Sequence, residues 1–193
     1  TSQGKMYVGT QQGPFVFNTE TGTFKQLGVL NDNLLGQVNS MIEDQDGHIW
    51  FVTSKGVYRQ SGSSGKIEQL DLEYNSGLRI IFEDKDKTIW ITNEVHGIFK
   101  LVPHRQFKAI KNPELVAPNG IVTDDNGDLL IATASSQLYK WQVETQTLEK
   151  LSSSIFNELN GFDQNRLLER PVLHLSKQNI LWIAQDEGIA KFN

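Results

Sequence analysis

The four histidines are the first residues to test for chemistry, because histidine serves both as a metal ligand and as a catalytic base. His48, His96, His104 and His174 lie far apart in the sequence, and none belongs to a His-x-x-x-His pair. The chain contains no cysteine, and no serine stands in a recognisable nucleophile elbow. The sequence therefore favours neither a zinc site nor a catalytic triad, and we expect no catalytic residue, metal or cofactor in this segment.

Two aspartate-rich segments are superficially similar to calcium loops. They are Asp44-Gln-Asp-Gly47 and Asp124-Asp-Asn-Gly-Asp128. An EF-hand loop requires a bidentate glutamate at its twelfth position, whereas apolar residues follow here. Hairpin turns need the same residue types, since an Asp side chain bonds the turn backbone and Gly adopts a positive φ. We interpret both segments as hairpin turns.

The composition is that of an ordinary globular domain. The chain has 193 residues, of which 38% are hydrophobic and 21% are charged. Its 23 acidic residues outnumber 18 basic ones, and the formal net charge of −5 argues against non-specific binding to nucleic acid or to an anionic membrane. No apolar run approaches the roughly 20 residues of a membrane-spanning helix. We expect no nucleic-acid partner and no membrane insertion.

A repeat of about 40 residues organises the chain. Five copies align on one position, occupied in turn by Tyr7, Trp50, Trp90, Leu130 and Trp182. The copies have the pattern of strands, because apolar runs rich in Val, Ile, Phe, Tyr and Trp alternate with Asp, Asn and Gly turns. In the second copy this pattern predicts strands at residues 38–42, 48–53, 56–59 and 67–72.

These repeats predict an all-β fold. A four-stranded unit of this size cannot bury both of its faces alone, so the copies must stack, and radial stacking gives a β-propeller with blades of four antiparallel strands. The aligned residues are then interpreted as packing residues between blades, because an aromatic side chain there buries roughly 150–250 Å². Trp141 has no equivalent in the repeat, and both a packing role and a surface role remain open for it.

The repeats make up a single propeller segment that spans residues 1–193. They cover approximately residues 1–30, 31–72, 73–110, 111–151 and 171–193, with an insertion loop at 152–170. This gives about four to five blades, and the strands at the two ends do not complement each other within one blade. We therefore expect an incomplete part of a larger propeller, whose partners are the remaining blades or a second copy of the chain.

The segment from Ile42 to Arg59 reads Ile-Glu-Asp-Gln-Asp-Gly-His-Ile-Trp-Phe-Val-Thr-Ser-Lys-Gly-Val-Tyr-Arg. It closely resembles the two-component regulator propeller repeat, whose usual form is an acidic turn, Gly, an apolar residue, Trp, Thr, and then Gly and a basic residue. The other copies match in part, so the resemblance spans nearly the whole chain. Lys87, Leu130 and Gln137 depart from the pattern, where Gly, Trp and Gly are usual.

The resemblance implies a role in signalling. Propellers of this kind commonly form the periplasmic sensor portion of membrane-anchored bacterial regulators, including hybrid histidine kinases that detect oligosaccharides. It implies a periplasmic, non-catalytic sensor segment that binds a small molecule or an oligosaccharide. A structural or protein-interaction propeller is the alternative, and a metal-dependent lactonase- or lyase-like propeller enzyme is a third possibility.

Candidate ligand-binding residues lie in two places. The insertion loop at 152–170 is one, because loops on a rigid scaffold often carry function. Its aromatic and polar side chains suit a ligand: Phe156, Asn157, Asn160, Phe162, Asp163, Arg166 and Arg170. The alternative is a structured insertion, in which Phe156, Leu159 and Phe162 form a short amphipathic helical turn that covers an exposed blade.

The second place is the rim where connections enter the innermost strands, the usual ligand site of a propeller. Asn33, Arg79 and Asn119 lie there, together with Asn31 and Asn75. Asn and Arg side chains suit a polyhydroxylated or anionic ligand, and they suit ordinary turns equally well.

Overall fold

The computed structural model describes residues 1–2, 4–27, 29–30, 33–102, 106–135, 137–151, 172–176, 180–185 and 188–192. Throughout these ranges the chain forms β-strands joined by turns, and they contain no helix. The predicted all-β class is therefore confirmed.

Five antiparallel sheets form the blades of a propeller. The first blade contains β1 (Met6–Thr10), β2 (Gly13–Asn18) and β3 (Thr23–Gln26), and a short ribbon of β4 (Val29–Leu30) and β5 (Asn33–Leu34) follows. The second blade contains β6 (Val38–Glu43), β7 (Ile49–Thr53), β8 (Gly56–Gln60) and β9 (Ile67–Leu70). The third contains β10 (Leu78–Glu83), β11 (Ile89–Asn93), β12 (Gly97–Val102) and β13 (Gln106–Ile110). The fourth contains β14 (Pro118–Thr123), β15 (Leu129–Thr133), β16 (Leu138–Gln142) and β17 (Thr147–Lys150), and the fifth contains β18 (Val172–Leu175), β19 (Leu181–Gln185) and β20 (Gly188–Phe192).

The second blade shows how closely the repeat pattern fixes the strands. Its four strands begin and end within two residues of the predicted bounds. The β4–β5 ribbon was not predicted, since two-residue strands leave no periodic signal.

The blades stack along their innermost strands. Contacts join β6 to β10, β10 to β14, and β14 to β18, while the first blade reaches β6 through β1. The sheets do not close into a ring within the described residues, which is consistent with a partial propeller. The expectation that further blades or a second copy complete the arc stays a prediction.

The interfaces between blades hold the hydrophobic core. Trp50 packs edge-to-face on Phe107 of the third blade, with ring centroids 6.5 Å apart. Trp90 lies in a cluster with Ile121 and Leu129 of the fourth blade. Trp50 and Trp90 thus face the blade that follows their own, and they are only 2% and 1% exposed.

The two other tryptophans of the chain show whether burial depends on a following blade. Trp182 occupies the aligned position in the fifth blade and is 37% exposed, because no strand in the described part of the chain covers that face. Trp141 is 6% exposed and belongs to the cluster around Trp90. A surface role for Trp141 is therefore wrong: its register partner Leu129 places it in the interface.

Candidate functional site

The arc presents two rims, which differ in what their residues contact. The turn rim consists of the hairpin turns 44–48, 84–88 and 124–128. The loop rim consists of the turns 54–55, 94–96 and 134–135 and the connections 35–37, 71–77 and 111–117. On the loop rim, backbone N–H groups of Ser54, Glu94 and Ala134 donate to the carbonyls of Gln37, Gly77 and Ala117 at 2.9 Å. Each connection is therefore held against the turn of its own blade.

On the turn rim the aspartates act as structural acceptors. Asp44 Oδ1 accepts the N–H groups of Asp46 and His48 at 3.0 and 2.7 Å, and its Oδ2 accepts the indole N–H of Trp50 at 2.7 Å. Asp84 makes the same three bonds in the third blade. Because both carboxylate oxygens are engaged by the protein, these turns bind their own strands rather than a ligand.

The same acceptor position recurs in blades that lack the aspartate. Thr1 Oγ1 accepts the N–H of Lys5 at 3.0 Å, and Ser176 Oγ accepts the N–H of Ile180 at 3.2 Å. Both residues stand six positions before the aligned residue, as Asp44 does. Sequence analysis missed this equivalence because the side chains differ, although the six-residue offset was available as a signal.

The fourth blade replaces the aspartate–tryptophan bond by an ion pair. Leu130 cannot donate a hydrogen bond, and its cross-strand partner Lys140 extends its Nζ to 2.7 Å from Asp124 Oδ2 and 3.1 Å from Asp128 Oδ2. In the second and third blades the equivalent Arg59 and Lys100 instead lie over the tryptophan ring, at 5.6 and 5.2 Å from its centroid. The basic residue therefore compensates for the missing indole.

This ion pair sets a pH dependence. Burial acts to raise the pKa of Asp124, but the Lys140 ammonium and the N–H groups of Asp128 and Asn126 outweigh it and hold that pKa below its ordinary value. A carboxyl group whose pKa is lower in the folded state stabilises at neutral pH and loses that contribution as the pH falls through the folded-state pKa.

We expect Asp124→Asn to weaken the acid sensitivity of folding. Between pH 7 and roughly pH 3, the free energy of unfolding should fall less in the variant than in the wild-type chain. Burial raises the pKa of Glu83, so this residue has the opposite effect on the pH dependence of stability. Its contribution is the same in the wild-type chain and in the variant, and it cancels in the comparison. Urea unfolding at a series of pH values measures the difference, and parallel curves would contradict the assignment.

Adjacent turns of the turn rim are also joined by hydrogen bonds and an ion pair. Glu43 accepts the Ser2 N–H at 2.7 Å, and Glu83 accepts the Gln45 N–H at 2.9 Å in the equivalent contact one blade later. Lys87, which replaces the usual turn glycine and adopts φ 62°, reaches back to Asp46 at 2.6 Å. The charged side chains of the turn rim thus hold adjacent blades together.

The loop rim carries polar residues at β-bulges of the innermost strands. The register of β6, β10 and β14 shifts near their second residues, which are Asn39, Arg79 and Asn119. Bulges of this kind re-aim side chains and are enriched next to binding sites. The predicted Arg79 and Asn119 are therefore equivalent residues of neighbouring innermost strands, and Asn39 completes the series at the same 40-residue spacing, which sequence analysis overlooked.

The bulge residues differ in their contacts. Asn39 donates to the Leu78 carbonyl of the next blade at 2.9 Å. Arg79 forms an ion pair with Glu94, and Asn119 is 7% exposed. Asn33 lies in the β4–β5 ribbon. The insertion-loop candidates lie outside the described residues: Phe156, Asn157, Asn160, Phe162, Asp163, Arg166 and Arg170.

The third blade departs from the repeat at its loop-rim turn. Three residues stand between Asn93 and Gly97, where the second blade has two between Thr53 and Gly56. Asn93 is fully buried; its Oδ1 accepts the N–H groups of Val95 and His96 at 3.0 Å, and its Nδ2 donates to the Ser76 carbonyl at 2.8 Å. The longer turn is thereby fixed against the connection 71–77.

The longer turn assembles a cluster of aromatic and charged groups. The His96 ring stacks on Tyr74 with centroids 3.5 Å apart and planes 13° apart. Lys111 Nζ lies 5.1 Å from the Tyr74 centroid and 3.4 Å from a Glu73 oxygen. Hydrogen bonds to Tyr74 and Glu73 raise the pKa of Lys111 above its ordinary value, which further favours the charged ammonium form. We call Tyr74, Arg79, Glu94, His96 and Lys111 the third-blade rim cluster.

Two exposed valines border this cluster. Val95 is 77% exposed and Val116 is 60% exposed, and the neighbouring Ala117 N–H bonds the Glu94 carbonyl at 3.0 Å. The described residues contain no group of three or more His, Asp or Glu side chains placed to hold a metal ion. In the same part of the chain no helix is long and apolar enough to cross a membrane.

Known proteins share this fold. The extracellular domain of BT4673, from a hybrid two component system of B. thetaiotaomicron, superposes with a TM-score of 0.76 at 22% identity, over 97% of this chain and 25% of that one. The extracellular domain of BT3049 from the same organism gives 0.72 at 25% identity, over 98% and 25%. A streptogramin B lyase gives 0.73 at 18% identity, over 100% and 66%.

This chain thus spans about a quarter of the length of these two extracellular domains. None of the curated proteins matches its sequence. The family model for the two component regulator propeller matches residues 34–55, which hold the turn-rim hairpin and Trp50 of the second blade. The chain is a propeller segment that carries a two component regulator propeller repeat.

Proposed function

We propose that this chain is a ligand-binding segment of a periplasmic or extracellular sensor propeller, and that it catalyses no reaction itself. The observation that carries the proposal is the match of residues 34–55 to the two component regulator propeller, on a fold shared with extracellular domains of hybrid two component systems. The output domain of such a regulator lies outside this segment.

The third-blade rim cluster supports binding of a polyhydroxylated ligand such as an oligosaccharide. A stacked ring pair offers an apolar face for sugar C–H groups, while the charged Lys111 and Arg79 side chains offer strong hydrogen bonds to hydroxyl or carboxylate oxygens. Aromatic rings surrounded by a few oriented polar groups are typical of small-molecule sites. The insertion-loop residues and Asn33 remain proposed contributors.

We expect His96→Ala to weaken oligosaccharide binding by about tenfold, because it removes half of the stacked pair. Calorimetric titration with a panel of neutral oligosaccharides identifies a binding member, and the variant is then titrated with that member. His48→Ala is the matched control, since His48 lies on the turn rim. Equal affinity of the His96 variant and the wild-type chain would contradict the site, and the absence of any binding member would contradict the sugar-sensor function.

A protein-interaction role is the second candidate, and the exposed Val95 and Val116 favour it. Two neighbouring apolar side chains on a polar rim suit a protein surface better than a sugar. Val95→Asp separates the two functions, because it should abolish protein binding and leave oligosaccharide affinity within about twofold. The lyase-like neighbour supports an enzyme more weakly, since at 18% identity it shares the fold alone.

A further inference from the structure

We propose that the groove between the first and second blades is a separate binding site for a small sugar acid. Two adjoining cavities of about 230 and 440 Å³ share Lys5, Tyr7 and Gln60 in their walls. We call them together the first-interface groove. Its lining comes from the first and second blades and includes no residue of the third-blade rim cluster, so the proposal does not rest on the function of that cluster.

The groove exists because the first blade carries Val16 at the middle of its cross-strand row, where the second, third and fourth blades carry the long basic side chains of Arg59, Lys100 and Lys140. Across the second blade, Trp50, Arg59 and Glu68 are successive cross-strand partners. Arg59 lies over the Trp50 ring and pairs with Glu68 at 2.6 Å, and this row fills the space toward the third blade. The equivalent row of the first blade is Tyr7, Val16 and Lys25.

Val16 and Lys25 stand where the second blade has Arg59 and Glu68, and these two differences leave an open space and a positive charge in the groove. Val16 is far shorter than an arginine, so the row contains no internal ion pair, and the residue that would be an acceptor is the cation Lys25. Within the described residues no carboxylate lies within 4.0 Å of the ammonium group of Lys25 or of Lys5. Two lysines therefore line one groove of a chain whose net charge is −5.

The remaining groups of the groove suit hydroxyls. The Tyr7 hydroxyl donates to Gln60 Oε1 at 3.1 Å, and Gln60 Nε2 donates to the Gly65 carbonyl at 3.1 Å. Asn18 and Thr23 line the outer wall, and Val16 and Leu27 supply an apolar wall. Among the described residues of the lining, the one carboxylate is Glu43 at the turn-rim end, and it is held by Ser2.

The size and charge of the groove point to a ligand class. Drug-sized ligands occupy pockets of roughly 300–1,000 Å³, so these cavities fit one or two sugar rings. A carboxylate facing lysine forms charge-assisted hydrogen bonds, whereas the Tyr7, Gln60, Asn18 and Thr23 side chains match sugar hydroxyls. A monosaccharide or disaccharide that carries one carboxylate meets both requirements.

The test uses D-glucuronate as the probe and the full chain. We expect its addition to shift the amide NMR signals of Lys25, Gln60 and Gly65, with little effect from D-glucose at the same concentration. Lys25→Gln should reduce the affinity for glucuronate by about tenfold, because it removes a charged hydrogen-bond partner. Lys150→Gln, an equal charge change on the exposed strand β17, should alter it less than twofold.

A second variant tests the space. Val16→Phe fills the groove without changing charge and should also abolish the glucuronate shifts while the rest of the spectrum stays native. Shifts that glucose reproduces, or a Lys25 variant that binds glucuronate as the wild-type chain does, would overturn the proposal. Glucuronate shifts confined to amides outside the groove would also overturn the proposal.

Discussion

Replacing Trp90 with alanine should lower the free energy of unfolding by about 4 kcal/mol. The side chain is 1% exposed, and its removal opens a cavity in the cluster between the third and fourth blades. It also takes the indole N–H away from Asp84 Oδ2, a buried acceptor that then lacks a partner. Chemical denaturation followed by far-ultraviolet circular dichroism measures the loss.

Trp182→Ala is the control for this prediction, since it removes the same side chain from the aligned position of the fifth blade. With 37% of its surface exposed, Trp182 buries less area, and its loss should cost less than about 2 kcal/mol. Equal costs for the two variants would contradict the conclusion that Trp90 is buried by the blade that follows it.

Lys140→Met should cost about 2–3 kcal/mol, because it leaves the carboxylates of Asp124 and Asp128 close together without their cation. The side chains of the three residues are only 12–21% exposed, so solvent screens the pair weakly. Lys150→Met on the exposed strand β17 is the matched control and should lie within about 0.5 kcal/mol of the wild-type chain.

The double variant Leu130→Trp with Lys140→Met should recover about 1 kcal/mol or more of this loss. It supplies an indole N–H at position 130, the donor that bonds the turn aspartate in the second blade. Denaturation of the two single variants and the double variant gives the coupling free energy. Additive costs would show that the indole and the ammonium do not substitute for each other.

The sequence predicts the blades well because their cause is local and repeated. Trp50 and Trp90 mark the same strand in two copies, and the Asp residues before both of them, with Gly47 before Trp50, are the ones that a hairpin turn requires. The equivalence of Thr1 and Ser176 to Asp44 is hidden, because a hydroxyl and a carboxylate accept the same backbone N–H group but look unrelated as residue types.

The candidate sites are harder to predict, because they arise where the repeat breaks. Arg79 and Asn119 could be selected from their place before an innermost strand, yet nothing local to Tyr74 shows that it stacks on His96, 22 residues away. That contact depends on a turn lengthened by one residue and fixed by Asn93. The first-interface groove likewise depends on the absence of a long basic side chain at Val16. It becomes visible only when the cross-strand rows of different blades are compared.

One measurement tests the central claim, that the departure of the third blade from the repeat creates the ligand site. The residues Asn93-Glu-Val-His96 are replaced by Thr-Ser-Lys, the residues that precede Gly56 in the second blade. The affinity of this variant for the binding oligosaccharide is then measured by calorimetry. We predict a chain that folds with native circular dichroism and has lost binding by more than about tenfold. A folded variant that binds as the wild-type chain does would contradict the claim.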